Sequence, residues 1–184
     1  VDRFVIAPGS RSTPLTLAAT RRPGARGVLQ NRAWGAAFWA LGYGRGAGRA
    51  AAVICTSGTA AANFLPAVVE ASLDGVPMLL LTADRPAELR DTAANQTIAQ
   101  PGLYGGYPRW QTDMPAPDRA VPPQALLTTL DQAVYRSGGE VPGPVHLNMP
   151  FREPLSGALP DWSDAWLDPV ARWQAGAAPL TRYH

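Results

Sequence analysis

Three turns rich in small and polar residues carry most of the chemical possibility in this chain. The first is Ile6-Ala7-Pro8-Gly9-Ser10-Arg11-Ser12-Thr13-Pro14, the second is Thr56-Ser57-Gly58-Thr59, and the third runs from Asp84-Arg85-Pro86 to Asn95-Gln96. An arginine presents a planar fork of donors that matches a carboxylate, and Arg11 stands inside its turn where helix capping does not need it. The turn before Thr59 offers backbone N–H groups at a helix start. Each turn also has a plainer reading. Ser12 or Thr13 caps a helix opened by Pro14, Arg85 pairs with Asp84 or Glu88 at the surface for under ~1 kcal/mol, and the middle turn is structural only.

The elements needed to bring the turns together are legible in the alternation of apolar runs with helical patterns. Strands are expected over 3–7, 27–30, 51–55 and 78–82, and helices over 14–22, 33–45 and 59–73. Such alternation reads as βαβ units: an α/β fold with a parallel sheet flanked by helices. Turns that follow the strands then gather at one edge of the sheet. Beyond Arg85 the residues Pro101, Gly102, Gly105, Gly106 and Pro108 break any long element, so a loop is expected there. A further helix over 123–136 and a last strand over 143–148, ended by Pro150, complete the domain.

With 184 residues, 46% of them hydrophobic, the chain supports one sizeable core. No apolar run reaches the ~20 residues of a membrane span, and no basic segment followed by an apolar stretch marks export, so the cytoplasm is the expected compartment. All 16 basic residues are arginine, scattered along a chain of formal charge +2, which argues against a nucleic-acid surface. Cys55 is the sole cysteine, which excludes an internal disulfide and a cysteine metal cluster; at the end of an apolar strand it reads as a packing thiol.

Taken together over about 4–155, the three blocks resemble the N-terminal, pyrimidine-binding domain of the thiamine-diphosphate enzymes of menaquinone biosynthesis, the 2-succinyl-5-enolpyruvyl-6-hydroxy-3-cyclohexene-1-carboxylate synthases. The resemblance implies the thiamine-diphosphate-binding fold and a transferase that decarboxylates 2-oxoglutarate and adds the succinyl carbanion to isochorismate. It assigns Ser10, Arg11, Arg85, Asn95 and Gln96 to substrate, and Pro8, Gly9 and Thr59 to the pyrimidine end of the cofactor. It also implies a homo-oligomer, the homodimer of the full enzyme.

One departure bears on chemistry. The family's glutamate, which hydrogen-bonds the aminopyrimidine, falls on Ala33, with Trp34 in place of the arginine after it. No Asp or Glu stands anywhere between Asp2 and Glu70. A lost proton-transfer group typically costs ~10²–10⁴-fold in rate. The family's diphosphate-binding domain, which holds magnesium (manganese serves as well), matches no stretch here. A partner domain, in the same or another chain, is therefore expected, and the chain alone is expected to be inactive. The alternative is a non-catalytic homologue serving as a binding or assembly module.

The resemblance places a helix ahead of the first strand, so the chain reads as truncated at its start, or shortened. Residues 156–184 read as a linker or tail toward an absent central domain, with Trp162, Trp166 and Trp173 expected to dock on a surface.

Overall fold

The computed structural model describes residues 1–157, 164–176 and 178–183. Six parallel strands form one sheet: β1 (Arg3–Ile6), β2 (Arg26–Leu29), β3 (Ala51–Cys55), β4 (Met78–Asp84), β5 (Trp110–Asp113) and β6 (Pro144–Pro150), in the spatial order β2-β1-β3-β4-β6-β5. The α/β class expected from the alternation is the observed one. The central strands are mostly apolar because both faces of the sheet are covered; β3 is apolar and buried at all five positions.

Helices α1 (Thr13–Arg21), α2 (Ala33–Ala47), α3 (Thr59–Ala62), α4 (Leu65–Leu73) and α5 (Pro123–Gly138) cover the two faces. Strand residues alternate between them. Val5, Val53, Cys55, Met78 and Leu80 pack with Ala36, Ala40 and Leu41 of α2 and Ala67, Val68 and Ala71 of α4. On the other face Ala52, Leu79, Val145 and Leu147 meet α5 through Leu126 and Ala133, and Ile6 and Ile54 meet α1 through Leu15 and Ala19. Small alanines let α2 and α4 lie close on the sheet.

Two elements differ from the sequence expectation. The single helix over 59–73 is two, α3 and α4, because Pro66 lacks an N–H and its ring would clash with the carbonyl four residues back, that of Ala62, the last residue of α3. Strand β5 stands inside the stretch read as a loop. It pairs with β6 alone, Gln111 opposite His146 and Asp113 opposite Asn148.

Past β6 the chain forms α6 (Asp164–Leu167), a 3-10 turn and α7 (Ala171–Gln174). The Trp166 indole donates to Arg119 O at 3.1 Å, Val170 is buried, and Thr181 N donates to Asp131 Oδ2 on α5 at 2.8 Å. Tyr183 stacks on Tyr135 with ring centroids 5.3 Å apart. Trp173 stays partly exposed, and Trp162 lies outside the described residues. Among the described residues no helix is long and apolar enough to cross a membrane.

Candidate functional site

The site is assembled where the strand order reverses. From β1 the chain leaves through α1 to β2 on one side, and from β2 it returns through α2 to β3 on the other, so a crevice opens past the carboxyl ends of β1 and β3. Ala7 N donates to Ile54 O at 2.9 Å, which holds the two strand ends in register. Beyond them the loops touch: a Cβ on Gly9 would lie 2.4 Å from Thr56 Cβ, so no side chain fits at position 9.

The first turn is a 3-10 turn over Ser10–Ser12 leading into α1. Pro14 stands in the first helical turn as expected, but neither hydroxyl caps the helix. Ser12 Oγ donates back to Gly9 O at 3.0 Å and Thr13 Oγ1 to Ser10 O at 2.7 Å, tightening the 3-10 turn instead. Ser10 and Pro8 are exposed, whereas Arg11 is buried, with its Nη1 donating to Phe151 O at 2.9 Å and its Nη2 to Glu153 Oε1 at 3.2 Å.

The second turn is gripped from above by the third. Arg85 Nη1 donates to Ser57 Oγ and, at 3.2 Å, to Gln96 O. Gln96 Nε2 donates to Ser57 O at 3.0 Å, and Gln100 Oε1 accepts the Gly58 N–H at 2.7 Å. Gly58 has φ +81°, and a Cβ there would meet Gln96 Cγ at 2.9 Å. The Gly58 amide, one of those expected to face a ligand, is thus already engaged. Thr59 opens α3 and is exposed, as is Asn95, whose side chain makes no hydrogen bond among the described residues. Arg85, Gln96 and the Ser57–Thr59 turn therefore form one cluster. Ala33, the first residue of α2, stands half-buried past the carboxyl end of β2.

Burial, and next the charge of Arg11, push the pKa of the Arg85 guanidinium down, while Asp84 and Glu153 act the other way. The two arginines thus sense each other across the crevice.

Beneath the turns lies a polar network that sequence reasoning missed. Asn148 Nδ2 donates to Asp84 Oδ2 at 2.9 Å and to Asp113 Oδ1 at 2.8 Å. Its Oδ1 accepts from Thr82 Oγ1 at 3.1 Å and from Gln100 Nε2 at 2.8 Å, so every hydrogen-bonding position of the amide is used. Asp84, fully buried, also accepts the Arg85 N–H at 2.7 Å, and Arg90 bridges Asp84 and Asp113. Burial opposes the charge on Asp113, but hydrogen bonds from Arg90 and Asn148 outweigh it and hold the pKa below the usual value. A signal existed for Asn148: an amide inside an otherwise apolar strand needs partners. Gln100, amid a loop of polar residues, had none.

Cys55 is fully buried in the core, and burial pushes its thiol pKa up, so it acts as a packing group. Among the described residues no group of three or more His, Cys, Asp or Glu side chains could hold a metal ion.

The comparisons with known proteins agree with this architecture. Over 179 residues the chain is 53% identical to the 2-succinyl-5-enolpyruvyl-6-hydroxy-3-cyclohexene-1-carboxylate synthase of Chlorobium limicola, covering 97% of this chain and 31% of that protein. Identity is 55% to the synthases of Salinibacter ruber and Rubrobacter xylanophilus, each match covering 100% of this chain and 31% of the relative. The chain thus spans about a third of the length of the curated relatives it matches. The family profile described as "Thiamine pyrophosphate enzyme, N-terminal TPP binding domain" matches residues 1–103, more than half of the 184, and takes in β1 to β4 with all three turns. On that match, the chain belongs to the thiamine pyrophosphate enzymes as their N-terminal TPP-binding domain.

Proposed function

We propose that the chain is the pyrimidine-binding part of a synthase that transfers a succinyl group from 2-oxoglutarate to isochorismate in menaquinone biosynthesis. The observation that carries this reading is the convergence of Arg11, Arg85 and Gln96 on the crevice past β1 and β3, in a chain similar along its whole length to such synthases. In this reading the free donors of Arg85 and the exposed Ser10 and Asn95 face the substrates, and both arginines take carboxylates.

Thiamine diphosphate, when bound, would supply the electron sink for decarboxylation. In this reading its ring end lies beside Pro8, Gly9 and Thr59, but position 33 offers a methyl group where proton transfer needs a carboxylate. No proton step is therefore assigned to this chain. Diphosphate and magnesium would be held by another domain, in the same or another chain, and residues 156–184 would lead from the pyrimidine domain (1–155) toward a central one. The exposed Trp34 and Phe38 on α2 and Leu65 and Leu73 on α4 support association into a homo-oligomer, the homodimer of the full enzyme. A cytoplasmic location is part of this reading. Ala33 favours a second one, a non-catalytic binding or assembly module.

The test is succinyl transfer by this chain mixed with a separately expressed diphosphate domain, thiamine diphosphate and magnesium, beside Ala33→Glu. Turnover that rises ~10²-fold or more in the variant is the expected result. Silence from both, with assembly verified, would favour the module.

A further inference from the structure

Arg11 is a buried cation of the crevice, and a carboxylate of this chain already sits on it. Its two hydrogen-bonding partners differ in kind. The Phe151 carbonyl is fixed, because Phe151 N is bonded to Asp84 O at 3.1 Å at the end of β4. The Glu153 side chain is 74% exposed, and its single contact among the described residues is the 3.2 Å pair with Arg11 Nη2. Because the Glu153 end of the pair stands in water, its hold on Arg11 is screened, and a ligand carboxylate that keeps the buried guanidinium paired displaces it. Glu153 also acts on Arg85, offsetting there the repulsion from Arg11. Asp84, the other acid acting on Arg85, is fully buried and occupied by Asn148 and Arg90, which leaves Glu153 as the acid free to move.

We propose that Glu153 is a resident competitor and a specificity-determining residue: its carboxylate takes the place on Arg11 that a substrate carboxylate takes, and it limits the negative charge the arginine pair accepts. The proposal rests on the reading of Arg11 and Arg85 as carboxylate clamps. With Glu153 in place the two arginines are half neutralised, enough for a monoanion. A dianion must first move Glu153 aside and then tolerate its charge nearby.

The test is a calorimetric titration of the chain and of Glu153→Gln with 2-oxoglutarate, which carries two carboxylates, and with 2-oxobutyrate, which carries one. The substitution keeps the size and exposure of the side chain and removes its charge. The expected result is 2-oxoglutarate binding about three- to tenfold tighter in the variant, with a smaller gain for 2-oxobutyrate and a gain that shrinks as salt is added. Equal affinities in the two proteins would overturn the proposal while leaving the clamps in place. Weaker binding by the variant would also overturn it, making Glu153 a support that orients Arg11. Binding of neither acid by either folded protein would overturn the clamps themselves, and the proposal with them.

Discussion

At the scale of single residues, His146 shows how a fixed neighbour decides a proton. The Asn148 amide must turn its nitrogen toward Asp84 and Asp113, so its oxygen takes the one hydroxyl hydrogen of Thr82. His146 Nε2, 2.7 Å from the same hydroxyl, is then the donor, which assigns the neutral Nε2–H tautomer. Burial pushes the His146 pKa down to about 4, with Asp113 opposing. An unfolded histidine titrates near ~6.5, so between those two values the unfolded chain binds the extra proton and stability falls as the pH falls. The expected loss from pH 6.5 to 4 is about 2–3 kcal/mol, read from urea unfolding midpoints. His146→Gln, which keeps a donor for Thr82, should flatten the slope in that window; an unchanged slope would mean that His146 is not held neutral by burial. Asp113, held low, adds its own loss only as the pH falls below its unfolded value of ~3.9.

At the scale of elements, Gln100 ties together three segments that lie far from it along the chain. One amide bonds Gly58 ahead of α3, Ala83 in β4 and Asn148 in β6. Gln100→Ala would leave a buried N–H and a buried carbonyl without partners, at a cost of about 2–4 kcal/mol in denaturant unfolding. A loss under ~0.5 kcal/mol would mean that water replaces the amide. Such links also mark the limit of what a sequence reveals. The runs forming β1, β3 and β4 announced themselves because strands covered on both faces are mostly apolar. Strand β5 did not, since Trp-Gln-Thr-Asp at a sheet edge has no such demand. Pro66 carries its signal in the sequence, since a proline breaks the helical run over 59–73 at the turn before it. In the site, the resemblance assigns Arg11, Arg85 and Gln96 to substrate, and the turns that carry those residues were legible. Their partners were not, because Ser57, Phe151 and Glu153 reach them only through the crossing of the chain.

At the scale of the whole molecule, the sheet order makes the last strand the one that completes the core. Strand β4 lies between β3 and β6, and six of its seven residues are buried. A fragment ending at 103, where the family profile stops, would carry β4 as an exposed apolar edge. It is expected to aggregate in size-exclusion chromatography, whereas a fragment of 1–157 should elute as a defined species and unfold cooperatively. The longer piece should melt a few degrees below the full chain, having lost the contacts of Thr181 and Tyr183 with α5. A soluble, cooperatively unfolding 1–103 would contradict the role given to β6.

The same order has a consequence for synthesis. A ribosome makes β4 about sixty residues before β6, and it makes β5 before the strand that β5 needs as its neighbour. At ~5–20 residues per second the nascent protein spends several seconds with a gap at the middle of its sheet, one side of it apolar. A chaperone that binds extended apolar segments has its natural target in that interval, on Met78–Asp84 rather than on any surface of the finished fold.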